Sequence, residues 1–74
     1  MFASIIQTQE AGRRVLRAES TSAELIDLLW LNRDRLLSLS EGSTELVVSW
    51  QNPDGPPVEV SYCPRLPEAL RLAR

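Results

Sequence analysis

Three arginines set close together, Arg13, Arg14 and Arg17, are the residues of this chain best suited to gripping a charged ligand. A guanidinium makes planar, paired hydrogen bonds to phosphates and carboxylates. The cluster could therefore meet an anion, a nucleic acid or an acidic partner. Its geometry depends on the backbone. If residues 13–19 form a strand, Arg13 and Arg17 share a face with Glu19 while Arg14 takes the other. Glu45 and Glu59 fall on the same face, and a mixture of this kind is not the positive stripe that tracks a phosphate backbone. If residues 9–19 are a short helix instead, the arginines gather on one turn and a nucleic-acid contact gains support.

The remaining reactive side chains are few. Cys63 is the only cysteine, and the chain has no histidine and no lysine. Without histidine there is no Ser-His or Cys-His pair and no ordinary acid–base residue near neutral pH. Without lysine there is no Schiff base and no phosphate-binding P-loop. One thiol cannot build a zinc site or an intrachain disulfide. Cys63 has no sequence neighbour that could serve as its base. Asp27 and Asp34 sit seven residues apart, which on a helix puts them on one face but two turns apart, as a solvated polar face would have them. The reading is a non-enzymatic chain with no cofactor and no metal.

Several elements must hold these residues. Residues 2–8 read as a strand from their β-branched and aromatic content. Glu10-Ala11-Gly12 reads as a turn with Gly12 at positive φ, and residues 13–19 pair back as a second strand. Thr21 and Glu24 match a capping box, so a helix is expected from Thr21 to about Leu39, stopped at Glu41-Gly42. Residues 44–51 alternate clearly, with Leu46, Val48 and Trp50 on one face. The stretch from Asn52 to Pro57 is the strongest turn signal; Pro53 pre-sets φ, Asp54 can bond the local backbone, and Gly55 is expected in the left-handed region. Residues 58–63 return as the partner strand, with Val58, Val60 and Tyr62 toward the core. Pro64 to Pro67 ends the sheet, and a short helix is expected to follow from Pro67 to Arg74.

The central helix carries more apolar surface than one sheet requires. At 100° per residue, Leu25, Leu29 and Leu36 form a core stripe, with Leu28 and Leu39 beside it. Ile26, Trp30 and Leu37 form a second cluster about 100° away. A neighbouring element could cover this cluster. Left open, it is the expected partner-binding strip, since an exposed Trp in an apolar patch is a typical anchor of protein interfaces. Asn32 is a good N-cap and could instead divide the segment into two helices.

Seventy-four residues bearing a net charge of −2 make one small domain. A chain of this size buries only about 60% of its unfolded surface, which makes association with another chain an attractive source of stability. The charge balance does not advertise a polyanion partner. No signal peptide or membrane span is evident, and a lone thiol suits a reducing compartment, so the expected location is cytoplasmic. The expected fold is a single α+β domain over residues 1–74. Its elements run ββαββα, in a mostly antiparallel four-stranded sheet with one long helix on one face and a short terminal helix. The expected function is a small protein-binding module, an adaptor or inhibitor acting by occlusion or bridging, whose partner is another protein or a second copy of itself. Its size and bare chemistry are shared by many inhibitors encoded by phages or mobile elements and by bacterial adaptors, an analogy of size and shape alone. The alternative is a nucleic-acid-binding regulator that uses Arg13, Arg14 and Arg17.

Overall fold

The computed structural model describes residues 3–64 and has a small α+β fold. Strands β1 (Ala3–Glu10) and β2 (Arg13–Ser20) are followed by helices α1 (Ala23–Leu31) and α2 (Arg33–Leu39), then by strands β3 (Glu45–Trp50) and β4 (Val58–Tyr62). The four strands form one sheet in sequential order. The helix expected from Pro67 to Arg74 lies outside the described residues.

Each hairpin pairs as its turn chemistry demands. Ala11 and Gly12 both have positive φ, 52° and 77°, and Glu10 pairs with Arg13 across them. Two central residues of this kind make the tight turn whose twist matches that of the strands. Residues 13–19 are therefore strand, not helix. The second hairpin is closed by Asn52, whose side chain accepts a hydrogen bond from the Asp54 amide at 3.0 Å. Asn52, and not Asp54, supplies the side-chain bond of this turn, and Gly55 is not among the positive-φ residues.

Further expectations need correction. The sheet is mixed and not mostly antiparallel, because the central pair, β2 with β3, runs parallel from Val15↔Glu45 to Ser20↔Trp50. Parallel neighbours require a crossover of a dozen or more residues, and the two helices between Ser20 and Glu45 provide it. The helical segment is also not one long helix. It turns at Asn32 (φ −101°, ψ 21°), where the Asn32 amide and its side-chain Nδ2 both donate to the Leu28 carbonyl. The first cap is Ser22 rather than Thr21; its hydroxyl accepts from the Leu25 amide at 3.3 Å. At the far end Gly42 adopts φ 84°, as a residue following a helix stop commonly does.

The helices lie on one face of the sheet. Leu16 and Ala18 of β2, Leu46 and Val48 of β3, and Leu37 of α2 form the buried core, with Ile26, Leu29, Trp30, Leu36 and Tyr62 packed against it. Gln7 of β1 secures the return from α2. Its amide donates to the Ser40 and Ser43 hydroxyls at 3.0 and 2.8 Å and to the Glu41 carbonyl at 2.8 Å. Trp50 secures the approach to α1 by donating its indole N–H to the Thr21 carbonyl at 3.0 Å.

Candidate partner-binding surface

The proposed interface strip on the helices turns toward the sheet. Leu37 is buried, and Ile26 and Trp30 pack on the core as partly buried residues. Trp30 meets Tyr62 of β4 edge-to-face, with ring centroids 5.9 Å apart and planes at 77°. Arg33, the first residue of α2, lays its guanidinium over both rings at 4.8 and 5.0 Å. Its Nη1 also donates to the Trp30 carbonyl at 2.9 Å. The attraction of the ring faces for the cation compensates the Arg33 Nε, a buried donor with no partner among the described residues. Ile26, Leu29, Trp30, Leu36 and Leu37 recur at three- and four-residue spacing, so residues of both helical stripes share one arc and meet the sheet together.

Tyr62 closes this cluster by donating its hydroxyl hydrogen to Asp34 Oδ1. The hydrogen bond, followed by partial burial and the Asp34 charge, raises the Tyr62 pKa above its ordinary value. The far carboxylate of the helical pair, Asp27, is exposed. Asp34 acts as an acceptor tying the edge strand to α2, and no grouping of three or more potential metal ligands occurs among the described residues.

The arginines divide between the faces. Arg14 points to the helix side, where a Cβ added to Gly42 would lie 2.6 Å from its Nη1. Arg13 and Arg17 lie on the opposite, open face. Arg13 pairs with Glu45 at 3.0 Å, and Arg17 with Glu10, Glu19 and Glu59 at 3.2, 3.6 and 2.7 Å. These side chains flank Val15 and Val47, which are buried although none of the described elements lies over them. Long charged side chains can cover apolar surface with their methylene stems. Glu10 has a lowered pKa, first through the Thr8 hydroxyl and then through Arg17. Burial works against the charge of Arg17, but its bond to Glu10 and the charges of Glu59 and Glu10 outweigh this and raise its pKa. Two arginines among four glutamates leave this part of the face acidic.

Cys63 is exposed, and its thiol lies 3.4 Å from the Thr44 carbonyl. A cleft of about 190 Å³ between Ser4, Glu19, Ser20, Thr21 and Gln51 is below the ~300–1,000 Å³ usual for small-molecule sites. A broader groove of about 350 Å³ beside Leu37, Ser38, Ser43, Thr44 and Pro64 contains no titratable side chain.

The apolar residues that do meet solvent lie elsewhere. Among the described residues the helix layer packs over β2 and β3 and reaches β4 at Tyr62; Ile5 of β1 and Val58 and Val60 of β4 on the helix side, and Ile6 on the open face, are about half exposed. On the helices, Leu28, Leu31 and Leu39 are exposed. Helical spacing places Leu31 near the polar side that carries Asp27, Asp34 and Ser38. Val58 and Val60 face the helix side as their alternation requires, but only the width of the helix layer leaves them open. Among the described residues no helix is long and apolar enough to cross a membrane. The chain matches no protein-family model, no curated protein and no solved structure.

Proposed function

We propose that this chain is a non-enzymatic protein-binding module, an adaptor or inhibitor that works by covering or bridging the surfaces of other chains. One observation carries this reading: among the described residues no strand pairs with the outer edges of β1 and β4, where Ile5, Ile6, Val58 and Val60 are about half exposed. An edge of this kind recruits an added strand, with main-chain hydrogen bonds for affinity and alternate side chains for specificity. The polar clusters favour the same reading. Arg13 and Arg17 are engaged by glutamates within the chain, which weakens the alternative of nucleic-acid binding through Arg13, Arg14 and Arg17.

The test uses the intact chain as bait, followed by reconstitution with each purified partner. Binding to a defined protein, self-association included, is expected. It should be lost in at least one of Ile5→Lys, Leu31→Lys and Val60→Lys while circular dichroism stays unchanged. Failure to reconstitute any protein complex overturns the proposal. Salt-sensitive binding to DNA or RNA, with no protein complex, would replace it with the nucleic-acid reading.

A further inference from the structure

We infer that the β4 edge is built to pair with a second copy of itself, antiparallel about a twofold axis at Val60, joining two four-stranded sheets into one of eight strands. The inference rests on the protein-binding reading above and names its occupant.

Residues facing each other across an antiparallel pair share a sheet face. A twofold β4–β4 pairing can therefore adopt only registers that match residues of like orientation. The register centred on Val60 sets Val60 against Val60, Val58 against Tyr62, and Glu59 against Ser61. Its helix-side row is apolar but for the Tyr62 hydroxyl, and it continues the buried Leu46 and Val48 and the partly buried Trp50 that pair with β4 inside each chain. Its open-face row places a carboxylate opposite a hydroxyl, with no like charges facing. A shift one way sets Glu59 against Glu59, which is repulsive, and draws Pro56 and Pro57 into the ladder. A shift the other way places Pro64 opposite Val58, and proline cannot donate to a ladder. Prolines at 56, 57 and 64 thus bound the edge, and the register about Val60 is the one that uses all of β4.

The two edges are not equivalent. On the helix side of β1, Gln7 holds the loop through Ser40, Glu41 and Ser43, which crowds that edge. On β4, Val58 is 52% and Val60 44% exposed. No lysine, inner proline or bulge blunts this strand, although such devices are the usual protection of an exposed edge.

The experiment is sedimentation equilibrium of the intact chain over a concentration series, with four variants. The wild type is expected to dimerise. Val60→Lys, which sets two ammonium groups against each other at the axis, should weaken the dimer by about tenfold or more. Ser61→Lys, placed opposite the partner's Glu59, should tighten it, and Ser61→Glu should loosen it, each by about threefold. Ile6→Lys on β1 should leave it unchanged. Ser61 is exposed, so its two variants remain informative even if Val60→Lys fails to fold. A wild-type monomer at every soluble concentration overturns the inference, as does a dimer that Ser61→Lys weakens or that only Ile6→Lys disrupts. If the monomer still forms a complex with another protein, the inference falls and the protein-binding reading stands. If it forms none, both fall.

Discussion

Tyr62, on the outermost strand, donates its hydroxyl hydrogen to Asp34 on α2. This bond links the edge of the sheet to the helix layer, beside the stack of Trp30, Arg33 and Tyr62. Tyr62 is the only tyrosine, so phenolate absorbance reads it without interference. Its folded pKa is raised, so the stability it contributes is complete below pH ~10 and lost as pH rises through the folded value. The native titration midpoint should lie above ~10, and Asp34→Ala should return it toward that value and lower the melting temperature at neutral pH.

Glu10 behaves in the opposite sense. Its folded pKa lies below 4.5 through Thr8 first and Arg17 second. The stability it contributes is present above pH ~4.5 and lost as the pH falls through the folded value. A carboxyl titration by NMR should show this depressed value, and Thr8→Val should raise it while leaving the smaller effect of Arg17.

Arg17 holds three carboxylates together over the open face. Arg17→Met keeps an apolar stem over the sheet but leaves Glu10, Glu19 and Glu59 to repel one another. Exposed ion pairs contribute little individually, so a loss of about 1 kcal/mol is expected in urea melts. Added salt should narrow the gap between variant and wild type by screening that repulsion. A gap that widens with salt would contradict the arrangement.

Ala11 occupies a left-handed position that side chains resist, with φ 52°. Ala11→Asn supplies the Asn-Gly pair preferred in such turns and should stabilise the fold by about 0.5–1 kcal/mol. Gly12→Ala should do the reverse. An added Cβ there meets nothing within 4 Å, so its cost is conformational alone, and thermal melts of the two variants should shift in opposite directions.

Leu37 and Leu31 separate the core-facing side of the helices from the solvent side. Leu37 is 8% exposed and Leu31 74%. Leu37→Ala should cost about 2–3 kcal/mol, a large share of the stability of so small a domain. Leu31→Ala should stay within about 0.5 kcal/mol. Equal losses would mean that the helix is rotated from the position described.

Local pattern made much of the fold legible. Alternation placed Arg13, Val15 and Arg17 on one face of β2 and Leu16 and Ala18 on the other, and it placed Leu46, Val48 and Trp50 on the helix side of β3. The second hairpin could be read from its turn residues, as could the helix stop at Glu41-Gly42, while residues 9–19 read equally as strand or short helix and only the pairing of β1 with β2 settled them. The reading of Ile26, Trp30 and Leu37 as an open strip set them apart from Leu29 and Leu36, although the five share i, i+3, i+4 spacing and one arc of the helix surface meets the sheet. How wide an arc the sheet covers is set by packing, which helical spacing alone does not give.

By itself, then, the sequence determined the second hairpin, the alternating faces of its two strands, and the absence of histidine and lysine. These follow from side-chain period and residue type, which act over a few positions. Only the tertiary structure decided that β2 and β3 run parallel, that Trp30 packs on Tyr62 beneath Arg33, and that Glu10, Glu19, Glu45 and Glu59 close on Arg13 and Arg17. It also decided that Val58 and Val60 stay open while Leu37 is buried. Each depends on how elements remote in the chain are brought together, which side-chain period and residue type do not encode.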